Sequence, residues 1–198
     1  SRFVRLVLTI GVTAAALLMP GSAAAVDRYA APTGAGPQAS CPQANPCGII
    51  DAVEGPAAQD GDRVLLAPGT YALSQTLDVT RQLTILPADP AAGRPLITSS
   101  AGGFAVDVRT SQAALGGVEI RGTSQGLRLG GGIYGQLVVS APVTACYLED
   151  ANPTGPVTVW LNDSTCLSTG GGSGVAAFSE DDGSSVSAIL TNVTAASP

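Results

Sequence analysis

Apolar residues recur along this chain with a period close to twenty. Val64, Ile85, Val106, Leu127, Cys146, Cys166 and Val186 follow one another at steps of 21, 21, 21, 19, 20 and 20 residues. A second set, Leu77, Leu96, Val118, Leu137, Val157, Val175 and Val193, steps by 19, 22, 19, 20, 18 and 18. Around several members the pattern alternates, as in Val106-Asp107-Val108, Val118-Glu119-Ile120 and Val157-Thr158-Val159. That alternation is the period-two signature of a strand with one face buried. Two interleaved strand series sharing a period of about 20 describe a chain that returns above itself, a parallel β-solenoid. A β-sandwich, the competing all-β arrangement, would repeat its strands every ~8–12 residues.

Composition narrows the chemistry. The 198 residues include no His, so a His-based triad, a His metal ligand and an imidazole acid or base are all excluded. All nine basic residues are Arg, against 15 acidic ones, for a net charge of −6. An acidic chain without Lys is not built to hold a phosphate backbone, which excludes nucleic acid as a partner. Hydrophobic residues make up 45% and charged residues 12%, a balance that argues for a packed domain rather than disorder.

Residues 1–25 read as a secretory signal peptide. Arg2 and Arg5 precede an apolar run from Leu6 to Met19, Pro20-Gly21 breaks it, and Ser22-Ala23-Ala24-Ala25 supplies small residues for cleavage after Ala25. The run is too short for a membrane anchor, and no second long apolar stretch follows, so the mature chain has no membrane span. The expected location is secreted or extracellular, including the cell surface. The four Cys all fall in the mature part, where export favours two disulfides over zinc. Cys146 and Cys166 are one coil apart, so stacking on consecutive rungs would place them ~4.8 Å from each other, inside the usual Cα–Cα range of a disulfide, ~4.4–6.8 Å. Cys41 and Cys47 form the other expected pair.

Residues 26–46 read as an extended arm rich in Ala, Pro and Gly, and 47–198 as the coil domain. Within it, Pro46–Glu54 is the one convincing helix, with Ile49, Ile50 and Val53 on one face and Gly55-Pro56 as its stop. Asp60-Gly61-Asp62 then turns into Val64-Leu65-Leu66, and Ala67-Pro68-Gly69-Thr70-Tyr71 follows. This stretch resembles the N-terminal entry of secreted bacterial right-handed parallel β-helix proteins of the pectate-lyase-like superfamily. The resemblance implies an all-β, right-handed, single-stranded parallel β-helix with an N-terminal α-helical cap. It implies little about function, since that fold carries lyases, hydrolases, adhesins and spacers. Ser1 in place of Met, and only five residues after Val193, lead us to expect the N-terminal portion of a longer chain with an open last rung.

Function is sought on the outward residues. One place after the first series come Asp107 and Arg128, neighbours on adjacent rungs, with Arg109 two places along and Tyr147 next. In uronate-cleaving relatives an Arg beside an Asp serves with Ca²⁺, which makes Arg128 or Arg109 as base and Asp107 as cation ligand the catalytic alternative. Ca²⁺ needs several oxygens, and this reading finds one carboxylate on that face, so a cross-strand ion pair is favoured. The hydrolase branch uses a Gly-His-Gly motif that a chain without His cannot carry. Glu180-Asp181-Asp182 reads as a solvated loop with too few ligands for more than a weak Ca²⁺ site, and no cofactor is otherwise expected. Trp160, the only Trp, alternates outward, with Phe178 expected on the neighbouring rung and Arg121 two rungs before. Together with Tyr147 these rings are the candidate glycan contacts, unless a loop covers them. Asn162-Asp163-Ser164 and Asn192-Val193-Thr194 read as turns rather than glycosylation sites. The function expected is a non-catalytic structural or glycan-binding module whose partner is extracellular polysaccharide, with a polysaccharide lyase as the alternative.

Overall fold

The computed structural model describes residues 24–36, 40–149, 156–178 and 185–198. Strand β1 (Asp27–Ala35) and helix α1 (Ile49–Val53) come first. The first rung is β2 (Arg63–Leu66), β3 (Thr70–Leu73) and β4 (Leu77–Val79), and the second is β5 (Thr84–Pro87), β6 (Leu96–Ser99) and β7 (Phe104–Val108). The third is β8 (Ala113–Gly116), β9 (Glu119–Gly122) and β10 (Gln125–Leu129), and the fourth β11 (Gly132–Gly135), β12 (Val138–Ala141) and β13 (Thr144–Glu149). In the fifth rung, β14 (Val157–Ser168) runs through two faces before β15 (Ser173–Phe178), and β16 (Val186–Ala196) lies on β14 in the same way.

Every strand pairs in parallel with its equivalent one rung away. The fold is a parallel β-helix. It has three faces per coil, where the sequence pattern suggested two. The first two faces join in one eleven-stranded sheet, and the third is a five-stranded sheet ordered β15-β13-β10-β7-β4.

The unequal coils explain the difference. Along the first face, Ile85 pairs with Leu115 30 residues later, whereas Leu115 pairs with Tyr134 after 19. The twenty-residue series therefore slips between faces. Val64 and Ile85 belong to the first, Val106, Leu127 and Cys146 to the third, and Cys166 to the second. Each is nevertheless buried, because all three faces point one set of side chains into a common core. Burying each such Leu or Ile contributes about 1.5–3 kcal/mol.

The corner between the first two faces is a single residue in the left-handed region. Gln136 (φ 55°), Asp163 (φ 47°) and Asn192 (φ 52°) hold it in successive rungs. Asn and Asp tolerate this conformation best after Gly, which accounts for the Asn-Asp and Thr-Asn pairs at these points. Asn192 Nδ2 donates to Asp163 Oδ1 at 2.8 Å, so the corner side chains stack as well. Entry to the fourth rung requires Gly132, which has φ 136° and lies so close to the preceding turn that a Cβ would sit 2.0 Å from the Ala113 carbonyl oxygen.

At the N-terminal side, the segment read as an arm contains β1, which extends the first face by pairing with β2. Helix α1 is shorter than Pro46–Glu54, because Cys47 is drawn into extended bridges with Ala30 and Ala35 and Gly48 keeps ψ 155°. It buries Ile49, Ala52 and Val53 and packs on β1, β2 and β4. Arg28, buried in the core column, donates from Nε to the Ala52 carbonyl at 2.9 Å, placing a cation where the helix carbonyls end. Cys41 is bonded to Cys47 and Cys146 to Cys166. The second pairing is the expected one, but its geometry is not. Cys146 is in register with Leu127 and Val175 on the third face, whereas Cys166 is in register with Val139 and Ala195 on the second. The bond crosses the interior between adjacent rungs instead of running along one column. Among the described residues no helix is long and apolar enough to cross a membrane. With the two disulfides, this is compatible with an extracellular protein. The signal-peptide reading of residues 1–25 falls almost wholly outside the described residues.

Candidate functional site

The outer surface of the five-stranded sheet gathers most of the charged and aromatic candidates. Alternation turns Leu77, Val106, Leu127 and Cys146 inward, so Asp78, Asp107, Arg128 and Tyr147 form one outward column in direct register. Two places further along come Arg109, Glu149 and Phe178, the last two being register partners on β13 and β15.

The ions form a chain. Arg128 grips Asp107 with two parallel bonds, Nε to Oδ1 at 2.6 Å and Nη2 to Oδ2 at 2.5 Å, and its Nη1 donates to Glu149 Oε2 at 2.7 Å. Arg109 Nε donates to Asp107 Oδ2 at 2.8 Å, and its Nη2 lies 3.4 Å from Asp78 Oδ1. The Asp107 and Glu149 side chains are only 3% and 7% exposed, so these bonds work in a poorly solvated setting. The Asp107 hydrogen bonds hold the Arg128 guanidinium well above its ordinary range, with Glu149 adding to the effect and burial opposing it. The hydrogen bond to Asp107 likewise raises Arg109.

Aromatic rings flank this chain. The Arg128 guanidinium carbon lies 5.3 Å from the centroid of the Phe104 ring. Phe104 and Tyr147 are 5.6 Å apart, and Tyr147 and Phe178 are stacked at 6.5 Å. Phe178 is 51% exposed. Tyr147 and Phe178 thus come together as one platform, but Trp160 does not join them. Its strand partners are Ile133 and Ile189 on the first face, and it is 40% exposed there. Arg121 is in register with Ser140, whose partner is Leu167 on the second face, and is paired with Glu119 through Nε at 2.8 Å. Phe178 was expected near Trp160 because a uniform coil was assumed, and β14 spends two faces before β15 begins.

No family model, characterised protein or solved structure matches this chain. The site is therefore read from its own chemistry. Sequence reasoning found Asp107, Arg109, Arg128 and Tyr147 but counted one carboxylate where the face carries three. Glu149 was legible two places after Tyr147 in the alternation of β13. Asp78 was hidden by the 29-residue step from Leu77 to Val106. Among the described residues no cluster of three or more acidic or Cys side chains could hold a metal ion. Glu180, Asp181 and Asp182 lie outside them.

Proposed function

We propose that the chain is a secreted or cell-surface, non-catalytic module of the pectate-lyase-like β-helix superfamily, with α1 as its N-terminal cap, that binds extracellular polysaccharide. One observation carries this reading: Arg128 donates through Nε, Nη1 and Nη2 to Asp107 and Glu149 and lies against Phe104. A guanidinium held cationic in this way has no vacant lone pair with which to accept a substrate proton. Arg109 and Asp107 are tied into the same chain, so the ions neutralise one another instead of facing solvent. The accessible part of the face is the ring pair Tyr147 and Phe178, whose apolar faces suit the C–H side of a sugar. The two disulfides favour an oxidising compartment.

The test is affinity electrophoresis of the intact protein through gels containing a panel of neutral and acidic polysaccharides. Retardation is expected for at least one, reduced about tenfold in apparent affinity by Phe178→Ala, without change in substrate chain length. Formation of an unsaturated, ultraviolet-absorbing product that is lost in Arg128→Ala would establish a lyase and overturn the proposal.

A further inference from the structure

A groove of about 670 Å³ lies elsewhere, on the outer side of the first face. The segment between β5 and β6 forms one wall. That segment is stiffened by the short 3₁₀ turn Pro90–Ala92, whose first turn is capped by Asp89 Oδ1 accepting from the Ala91 N–H at 2.9 Å. The floor is bare because Gly116 and Gly135 are register partners on β8 and β11. Leu86, Pro90 and Ile133 supply apolar sides, and Ile133 is 59% exposed. Trp160 stands beside Ile133 on the next strand and continues the apolar surface.

Polar side chains enter at the edges. Arg94 lines the groove at the second rung, Gln136 at the fourth and Asp163 at the fifth. From second to fifth rung is three strand spacings, about 14 Å. Arg94 is exposed and, alone among the described arginines, has no hydrogen-bond or ion-pair partner. Arg28, Arg63, Arg81, Arg109, Arg121 and Arg128 are all engaged. Asp163, by contrast, already accepts from Asn192. The free charge of the groove is thus a single cation at one end of an apolar floor.

We infer that this groove is a second saccharide subsite, selective for sugars carrying a carboxylate, with Arg94 as the group that reads the charge. The inference rests on the glycan-binding proposal and adds to it a site and a chemical class. A saccharide fits better than a peptide strand. The backbone hydrogen bonds of the floor strands are used within the sheet, leaving no edge for strand addition. Apolar ring faces on Leu86, Ile133 and Trp160, with hydroxyls toward Gln136, suit a ring polymer.

The experiment compares binding of a fluorescently labelled hexauronate with that of its carboxyl-reduced, neutral counterpart, using the full chain and polarisation as readout. The wild-type protein is expected to prefer the acidic oligomer at least tenfold. Arg94→Ala, which removes an exposed side chain with no folded partner, should bring that preference to about one. Gly135→Leu should do the same by filling the groove, since a Cβ there meets only the Asn162 carbonyl oxygen at 3.7 Å. Phe178→Ala, on the other sheet, should leave the preference intact. A preference unchanged by both Arg94→Ala and Gly135→Leu, or no preference in the wild type, overturns the subsite while leaving glycan binding standing. Failure of the wild type to bind either oligomer or any polysaccharide of the panel overturns both.

Discussion

Replacing Arg128 by Leu keeps the side chain's bulk but removes the cation between two nearly buried carboxylates. Three charge-assisted hydrogen bonds disappear, two to Asp107 and one to Glu149. Asp107 is partly rescued because Arg109 still reaches it through Nε and Nη2. Glu149 is left with its charge in a 7% exposed position. Breaking a buried pair by removing one partner costs about 3–5 kcal/mol, and with half of the site rescued the lower end, about 3 kcal/mol, is expected. That is a sizeable part of the ~5–15 kcal/mol that stabilises a domain of this kind. Urea unfolding followed by Trp160 fluorescence reads it. With a slope of about 2 kcal/mol/M the midpoint falls by about 1.5 M, the slope itself being unchanged. The double variant Arg128→Leu/Glu149→Leu should be more stable than the sum of its single variants implies, by about 1–3 kcal/mol. A single variant within about 0.5 kcal/mol of wild type, or strictly additive effects, would show that the pairing in this face is not stabilising and would remove the main support for reading it as structural.

Three further outcomes are expected. Gly132→Ala places a methyl group against the Ala113 carbonyl at a positive φ, so thermal unfolding should show a loss of about 3 kcal/mol or more. Glu54→Gln should stabilise the protein at pH 7. Burial raises the Glu54 pKa, so the folded state binds its proton more readily than the unfolded chain and stability is gained as pH falls. The difference between wild type and variant, measured by denaturation across pH 3–8, should shrink as both forms become neutral; a constant difference would contradict it. Burial also pushes the Tyr71 and Tyr134 phenols upward. These phenols stay neutral when folded, so stability should fall as pH rises past ~10, where the unfolded chain begins to ionise. Spectrophotometric titration should show two phenols appearing only with unfolding.

Much of the architecture was legible in the sequence because solvent sorting acts locally. Val106-Asp107-Val108 declares which side is core without reference to any other rung. The number of faces was not legible, since it depends on loop lengths that differ from coil to coil. The 30-residue step from Ile85 to Leu115 and the 19-residue step to Tyr134 average out to a period that no single face obeys. The same averaging gave the correct partner for Cys146 through an incorrect column, and it moved Phe178 toward Trp160. Arg128 and Asp107 were found because that step is regular at 21 residues. The groove beside Arg94 had no local signature at all, because it is made by the height of the segment following β5 over glycines two rungs away.

The Cys146–Cys166 bond joins the third face of the fourth rung to the second face of the fifth. Pulled from its C-terminal side, a solenoid peels one rung at a time, each rung releasing its own slack. Here peeling of β16 and β15 meets a covalent stop at Cys166. The 20 residues of separation between the two Cys are withheld from extension while the bond is intact. At ~3.3–3.6 Å per residue this amounts to about 70 Å of hidden contour length. Reduction would release it, so the reach of this chain under tension is set by the oxidation state of one interior bond.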